Sequence, residues 1–167
     1  MNTQTIALLG ALGELVSAIA VVVSLIYVGI QVKQNTRAIR SNTLQNISEN
    51  QLNIYALLAA NGDLAEIGYK AATGTGSDKG VEHFRFTAWM HTAFRSLENA
   101  YYQHQDGALD ERNWQGLCRQ YGPLLQAGLN RKYWEERKFI YSDEFKAFVD
   151  KELLAKPMHE GWKVPGS

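Results

Sequence analysis

Hydrophobic positions are distributed unevenly along this chain of 167 residues. From Leu15 to Val32 it reads LVSAIAVVVSLIYVGIQV, and Ile6 to Leu12 adds another apolar stretch, so that Glu14 is the one charged side chain between residues 5 and 32. Crossing about 30 Å of hydrocarbon takes about 20 helical residues at roughly 1.5 Å each. Residues 6–32 are therefore long enough for one transmembrane helix, behind a short external N-terminus over 1–5. A signal peptide or a buried core helix competes with that reading. However, MNTQT has no Lys or Arg to form an n-region, and no convincing small-x-small cleavage site closes the run. The pattern favours a retained span.

Beyond Val32 the pattern changes. No Gly or Pro occurs between Ile30 and Asn61, which predicts that the helix continues, first as a polar stalk over 33–43. Leu44, Ile47, Gln51, Ile54 and Leu58 then share one face of an amphipathic helix, and that face needs a partner. Asn61-Gly62-Asp63 punctuates the chain, with Asp63 placed to cap a short helix over 64–72. A helix over 81–105 carries the clearest core stripe: Phe86, Met90, Ala93, Leu97, Ala100 and Tyr101. Asp106-Gly107 ends it, and Leu109-Asp110 starts another marked by Trp114, Leu117, Cys118 and Tyr121. Gly122-Pro123 is expected to break the chain before a segment with Leu125, Leu129, Tyr133 and Trp134. Ser142 can cap a last helix with Phe145, Phe148, Val149 and Leu153 inward, and Pro157 and Pro165 mark a loose tail over 156–167. No segment alternates in period two with β-branched residues. The expected fold is all-α: a transmembrane helix, its stalk, and a small helical bundle over 44–155.

Charge adds an orientation. Lys33, Arg37 and Arg40 follow the apolar run closely, whereas the first five residues carry no basic side chain, so the bundle is expected on the cytoplasmic side. The unpaired Cys118 suits a reducing compartment and excludes an intrachain disulfide. With 17 basic and 17 acidic side chains the chain is formally neutral, which argues against nucleic acid as a partner. Glu14 lies about 24 Å of helix from Ile30, near the outer interface, where it can snorkel to water or headgroups. The other reading is an acid buried against a partner or in an ion relay. Gly10, Gly13, Ser17, Ala20 and Ser24, spaced by three and four, form a seam of small residues that would let two helices approach closely. Such residues are also simply common in membrane helices.

Candidate chemistry is sparse. Residues 73–80 are rich in glycine, but Lys79 is followed by Gly80 where a phosphate loop needs Ser or Thr, and the preceding segment is helical, so a flexible loop is expected. His91, Arg95, Glu98 and Tyr102 follow at i, i+4, i+7 and i+11 on one helix face. His91 with Glu98 could act as base and orienting acid, with Arg95 beside them. The favoured alternative is structural, with Arg95 paired to Glu98 under aromatic cover, since no nucleophile elbow, oxyanion donor or cofactor loop accompanies them. His83, His91, His104 and His159 include no Glu-x-x-His pair, so neither a metal nor a cofactor is expected. Cys118 on an apolar face reads as core. Arg131, Lys132, Arg137 and Lys138, mixed with Glu135 and Glu136, read as a solvated face. The four tryptophans, Trp89, Trp114, Trp134 and Trp162, form no stacking series for single-stranded nucleic acid.

Three stretches, YVGIQVKQNTRAIR, FRSLENAYYQHQDGALDERNW and YWEERKFIYSDEFKAFVD, resemble a widespread group of small uncharacterised bacterial proteins. Each has one N-terminal span and a helical C-terminal region. The resemblance implies that architecture and supplies no catalytic residue. The expectation is a single-pass protein of the bacterial inner membrane with a cytoplasmic interaction domain for scaffolding, recruitment or regulation. Its partners would be membrane lipid and a second copy or another membrane protein. The alternatives are a membrane-tethered enzyme using the His91, Arg95 and Glu98 face, or an accessory subunit of a larger membrane complex.

Overall fold

The computed structural model describes residues 2–157, which are mostly helical with no strand among them. The chain divides into two compact units, one up to Ser41 and one from Asn42 onward. Helix α1 (Thr3–Ala60) runs through both without a break, in keeping with the lack of Gly and Pro after Ile30.

In the first unit every described side chain from Ile6 to Ser41 is exposed, Leu25 to 67% and Val16 to 65%. The helix is long and apolar enough to cross a membrane. Two of its hydroxyls bond back inside the helix: Ser24 Oγ donates to the Ala20 carbonyl at 2.8 Å and Thr36 Oγ1 to that of Val32 at 2.9 Å. Such back-bonding is what a polar side chain needs where water is absent.

The second unit begins with the last turns of α1, where Ile47 and Ile54 are buried, Gln51 and Leu58 are half-buried, and Leu44 at the edge is 38% exposed. Each of the two isoleucines contributes roughly 1.5–3 kcal/mol by its burial. Helix α2 (Gly62–Thr73) follows at once. Its N-cap is Asn61, whose Oδ1 accepts the Leu64 N–H at 3.0 Å. Asp63, expected as the cap, lies two residues on, inside the first turn, and faces Arg85 at 3.7 Å. Gly74 at φ 75° closes α2, its neighbours Thr75 and Gly76 both donating N–H to the Lys70 carbonyl. Thus the glycine-rich loop serves first as a helix stop.

Helix α3 (Gly80–Gln105) is the spine of the bundle. Phe86, Met90, Ala93, Leu97 and Ala100 are buried as the stripe predicts, Phe94 joins them at 0% exposure, and Tyr101 is only half-buried. Phe94 stacks on Trp134 at 4.9 Å between ring centres, the heart of a core that also takes in Leu125, Phe145 and Val149.

Helix α4 (Glu111–Gln126), capped by Asp110 on the Asn113 N–H, runs straight through Pro123. The expected break at Gly122-Pro123 is not there. A proline removes one helical N–H and crowds the Cβ of the residue before it, but Gly122 has no Cβ to crowd. The break falls instead at Ala127, extended at φ −81° and ψ 134°, and at Gly128, φ 44°. Helix α5 (Gly128–Arg137) then leads through a 3₁₀ turn (Lys138–Ile140) to α6 (Asp143–Phe148) and a π turn (Val149–Leu153). Ser142 stands at the N-cap position of α6 but makes no side-chain cap bond, because its hydroxyl is committed to α3. His159, Trp162 and Pro165 lie outside the described residues.

Candidate functional site

The periodicity of α3 sets His91, Arg95, Glu98 and Tyr102 along one edge of its core stripe. Glu98 is buried, 8% exposed. Its Oε2 accepts from Arg95 Nη1 at 2.5 Å, and its Oε1 accepts both the N–H and the hydroxyl of Ser142 at 3.1 Å. The Tyr102 hydroxyl donates in turn to Ser142 Oγ at 2.7 Å. The second guanidinium nitrogen of Arg95 donates to the Ile140 carbonyl at 2.9 Å, and its Cζ lies 4.7 Å from the centre of the Tyr141 ring. One helix face therefore grips the segment 140–142 just before α6, through charge-assisted bonds stronger than neutral ones.

The structure brings Arg95, Glu98 and Tyr102 together, with Ser142 as the joint. His91 is not joined to Glu98. Its ring meets that of Tyr141 at 6.2 Å between centres. Tyr141 is itself buried, its hydroxyl 3.3 Å from that of Tyr133, and burial pushes both phenols above their ordinary range. These hydroxyls stay protonated. Because Arg95 and Glu98 spend their hydrogen bonds on the protein itself, a base or an anion clamp there would first have to release residues 140–142.

The outer side of Arg95 borders an open groove of about 330 Å³ between α1 and α3, lined by Asn50, Asn53, Ile54, Thr92, Ser96 and Asn99. A second groove of about 260 Å³, between α4 and the C-terminal turn, includes Cys118, Arg119, Gln126 and Lys156. Burial raises the Cys118 thiol to about 11, which disfavours the reactive thiolate.

The remaining candidates are tied into local pairs. His104 Nε2 lies 2.8 Å from Glu111 Oε2, with its ring stacked on Trp114 at 5.1 Å. Lys132 sits between Asp78 and Glu136, and Lys138 between Glu135 and Asp150. Asp150 also accepts the Trp134 Nε1–H at 2.7 Å, anchoring the π turn to α5. Sequence reasoning missed Tyr141, Ser142 and Asp150 as network members. The signal for Ser142 was present as a capping residue type, but was read as serving its own helix. No family model, curated protein or solved structure matches this chain.

Proposed function

We propose that this is a single-pass membrane protein, of the bacterial group its sequence resembles, whose helical bundle faces the cytoplasm and holds, recruits or regulates another protein at the inner membrane. The observation that carries the reading is α1, a single helix whose apolar side chains over 6–32 are all exposed where described, and whose later turns supply Ile47 and Ile54 to the bundle core. Exposed apolar surface on that scale, over the length of a bilayer crossing, supports a lipid-facing helix. Lys33, Arg37 and Arg40 at the bundle end of the run support the orientation. A reporter that works only in the cytoplasm, fused after Ser167, should be active, and one that works only in the periplasm should be silent. The opposite pattern overturns the topology.

An interaction role is favoured over a tethered enzyme because the Glu98 carboxylate and both terminal guanidinium nitrogens of Arg95 are already engaged by internal partners. Within the membrane, Gly10, Gly13, Ser17, Ala20 and Ser24 offer a seam for a second copy, and a Cβ at Gly10 or Gly13 would meet no atom of the chain within 4 Å. Gly13→Leu or Ser17→Leu should therefore weaken self-association of the full chain in a bilayer, read by crosslinking. A wholly monomeric wild-type protein, or unchanged crosslinking in both variants, removes the seam. Pairing of Glu14 with another protein's span belongs to the accessory-subunit reading, which co-purification in mild detergent would favour by yielding a stable membrane partner.

A further inference from the structure

We propose that Lys33, Arg37 and Arg40 form a binding stripe for the headgroups of anionic phospholipids. The inference rests on the spanning reading of α1, though not on which side the bundle faces. Their spacing of i, i+4, i+7 on a continuous helix sets all three within an arc of about 60°, over an axial length of about 10 Å. The stripe starts at the residue after Val32, where the uncharged apolar run ends, so a helix that spans the bilayer delivers it to the depth of the phosphates. All three side chains are exposed.

Along the sequence, charge in this stretch has one sign. No Asp or Glu occurs between Glu14 and Glu49, so the helix presents these cations with no acid of its own nearby in sequence. Tyr27, 61% exposed, lies about 9 Å along the axis toward the membrane, at the level where amphipathic rings settle. Nucleic acid is a poorer fit, because three cations on a neutral chain give a weak polyanion grip and the apolar run leads straight into them. A lipid phosphate is brought to the stripe by the helix itself.

The test uses the full chain reconstituted in phosphatidylcholine vesicles with or without a minority of phosphatidylglycerol. Spin-labelled phosphatidylglycerol and phosphatidylcholine then report which lipid the protein immobilises. The wild type should prefer phosphatidylglycerol by about five-fold or more at low salt, since each cation near a charged headgroup region is worth about 1 kcal/mol, and salt should reduce the preference. The triple variant Lys33→Gln, Arg37→Gln, Arg40→Gln should fall towards no preference, while Arg37→Lys with Arg40→Lys should keep most of it. Equal immobilisation of both lipids by the wild type, or an unchanged preference in the triple variant, overturns the stripe. So does competition by inorganic phosphate that abolishes the preference at constant ionic strength, which would mark a site for the free anion. Alkaline extraction separates the two levels. A chain that washes off the vesicles overturns the spanning reading and the stripe together, whereas one that stays embedded without lipid preference overturns the stripe alone.

Discussion

Replacing Gly128 with alanine should destabilise the bundle by about 3–5 kcal/mol, at the severe end for a single substitution. In the full chain in detergent that corresponds to a fall of about 10–20 °C in the Tm followed by tryptophan fluorescence. Gly128 opens α5 at φ 44°, against the C-terminal end of α2. A Cβ there would stand 2.1 Å from the Ala71 carbonyl oxygen and 2.8 Å from both the Ala72 carbonyl oxygen and the Gly74 nitrogen. All three are backbone atoms, and the Gly74 N–H is bonded to that same Ala71 carbonyl in the stop of α2. Nothing there can swing aside as a side-chain tip would, so α2 and α5 must part or the α2 stop must break. Gly80→Ala is the matched control, at φ 74° with no atom within 4 Å of the added methyl. It should cost only the left-handed backbone, about 1–2 kcal/mol. Equal losses in the two variants would mean that backbone angle alone matters and that the close approach of α2 and α5 does not.

The position of that break was hidden from the sequence for a physical reason. Gly122-Pro123 and Ala127-Gly128 are both plausible helix stops, and local chemistry favours the first. What decides is whether the proline's crowding meets a Cβ, which Gly122 lacks, and whether another backbone passes within contact distance, which α2 does only at Gly128. The cap of α2 shows the same degeneracy. Asn61 and Asp63 are both good capping types, and the choice is made where Arg85 of α3 lies close to both, donating to Asn61 Oδ1 at 3.2 Å and facing Asp63.

By contrast, features that depend on one element were legible. The apolar run, the lack of any break before Ala60 and the stripe of α3 are consequences of residue spacing on a single helix. Phe94 escaped because a core-facing stripe between several helices is wider than the one residue per turn that was counted. The site divides along the same line: the face of His91, Arg95, Glu98 and Tyr102 follows from helical period, whereas its bonded partners at 140–142 lie 40 to 45 residues away along the chain and no local pattern announces them.

That counterpart makes the second large effect predictable. Glu98→Ala should destabilise the full chain by about 2–3 kcal/mol, because it leaves the Ser142 N–H and hydroxyl and one edge of the Arg95 guanidinium without their acceptor in a mostly buried place. Arg95→Ala should cost less, about 1–2 kcal/mol, since its side chain is 45% exposed and water screens part of its pairing with Glu98. The double variant should lose less than the two singles added, by about 1 kcal/mol, as each single change already breaks the bond they share. Ser142→Ala should be milder than Glu98→Ala, because the Ser142 N–H still reaches the carboxylate and only the Tyr102 hydroxyl must turn to water. Thermal melts of the four variants give the whole comparison. If instead Glu98→Ala and Arg95→Ala keep the wild-type Tm yet lose a cellular phenotype or a bound small molecule, these side chains are not what holds residues 140–142 to α3. The face would then be a functional site, and the tethered-enzyme reading would replace the interaction one.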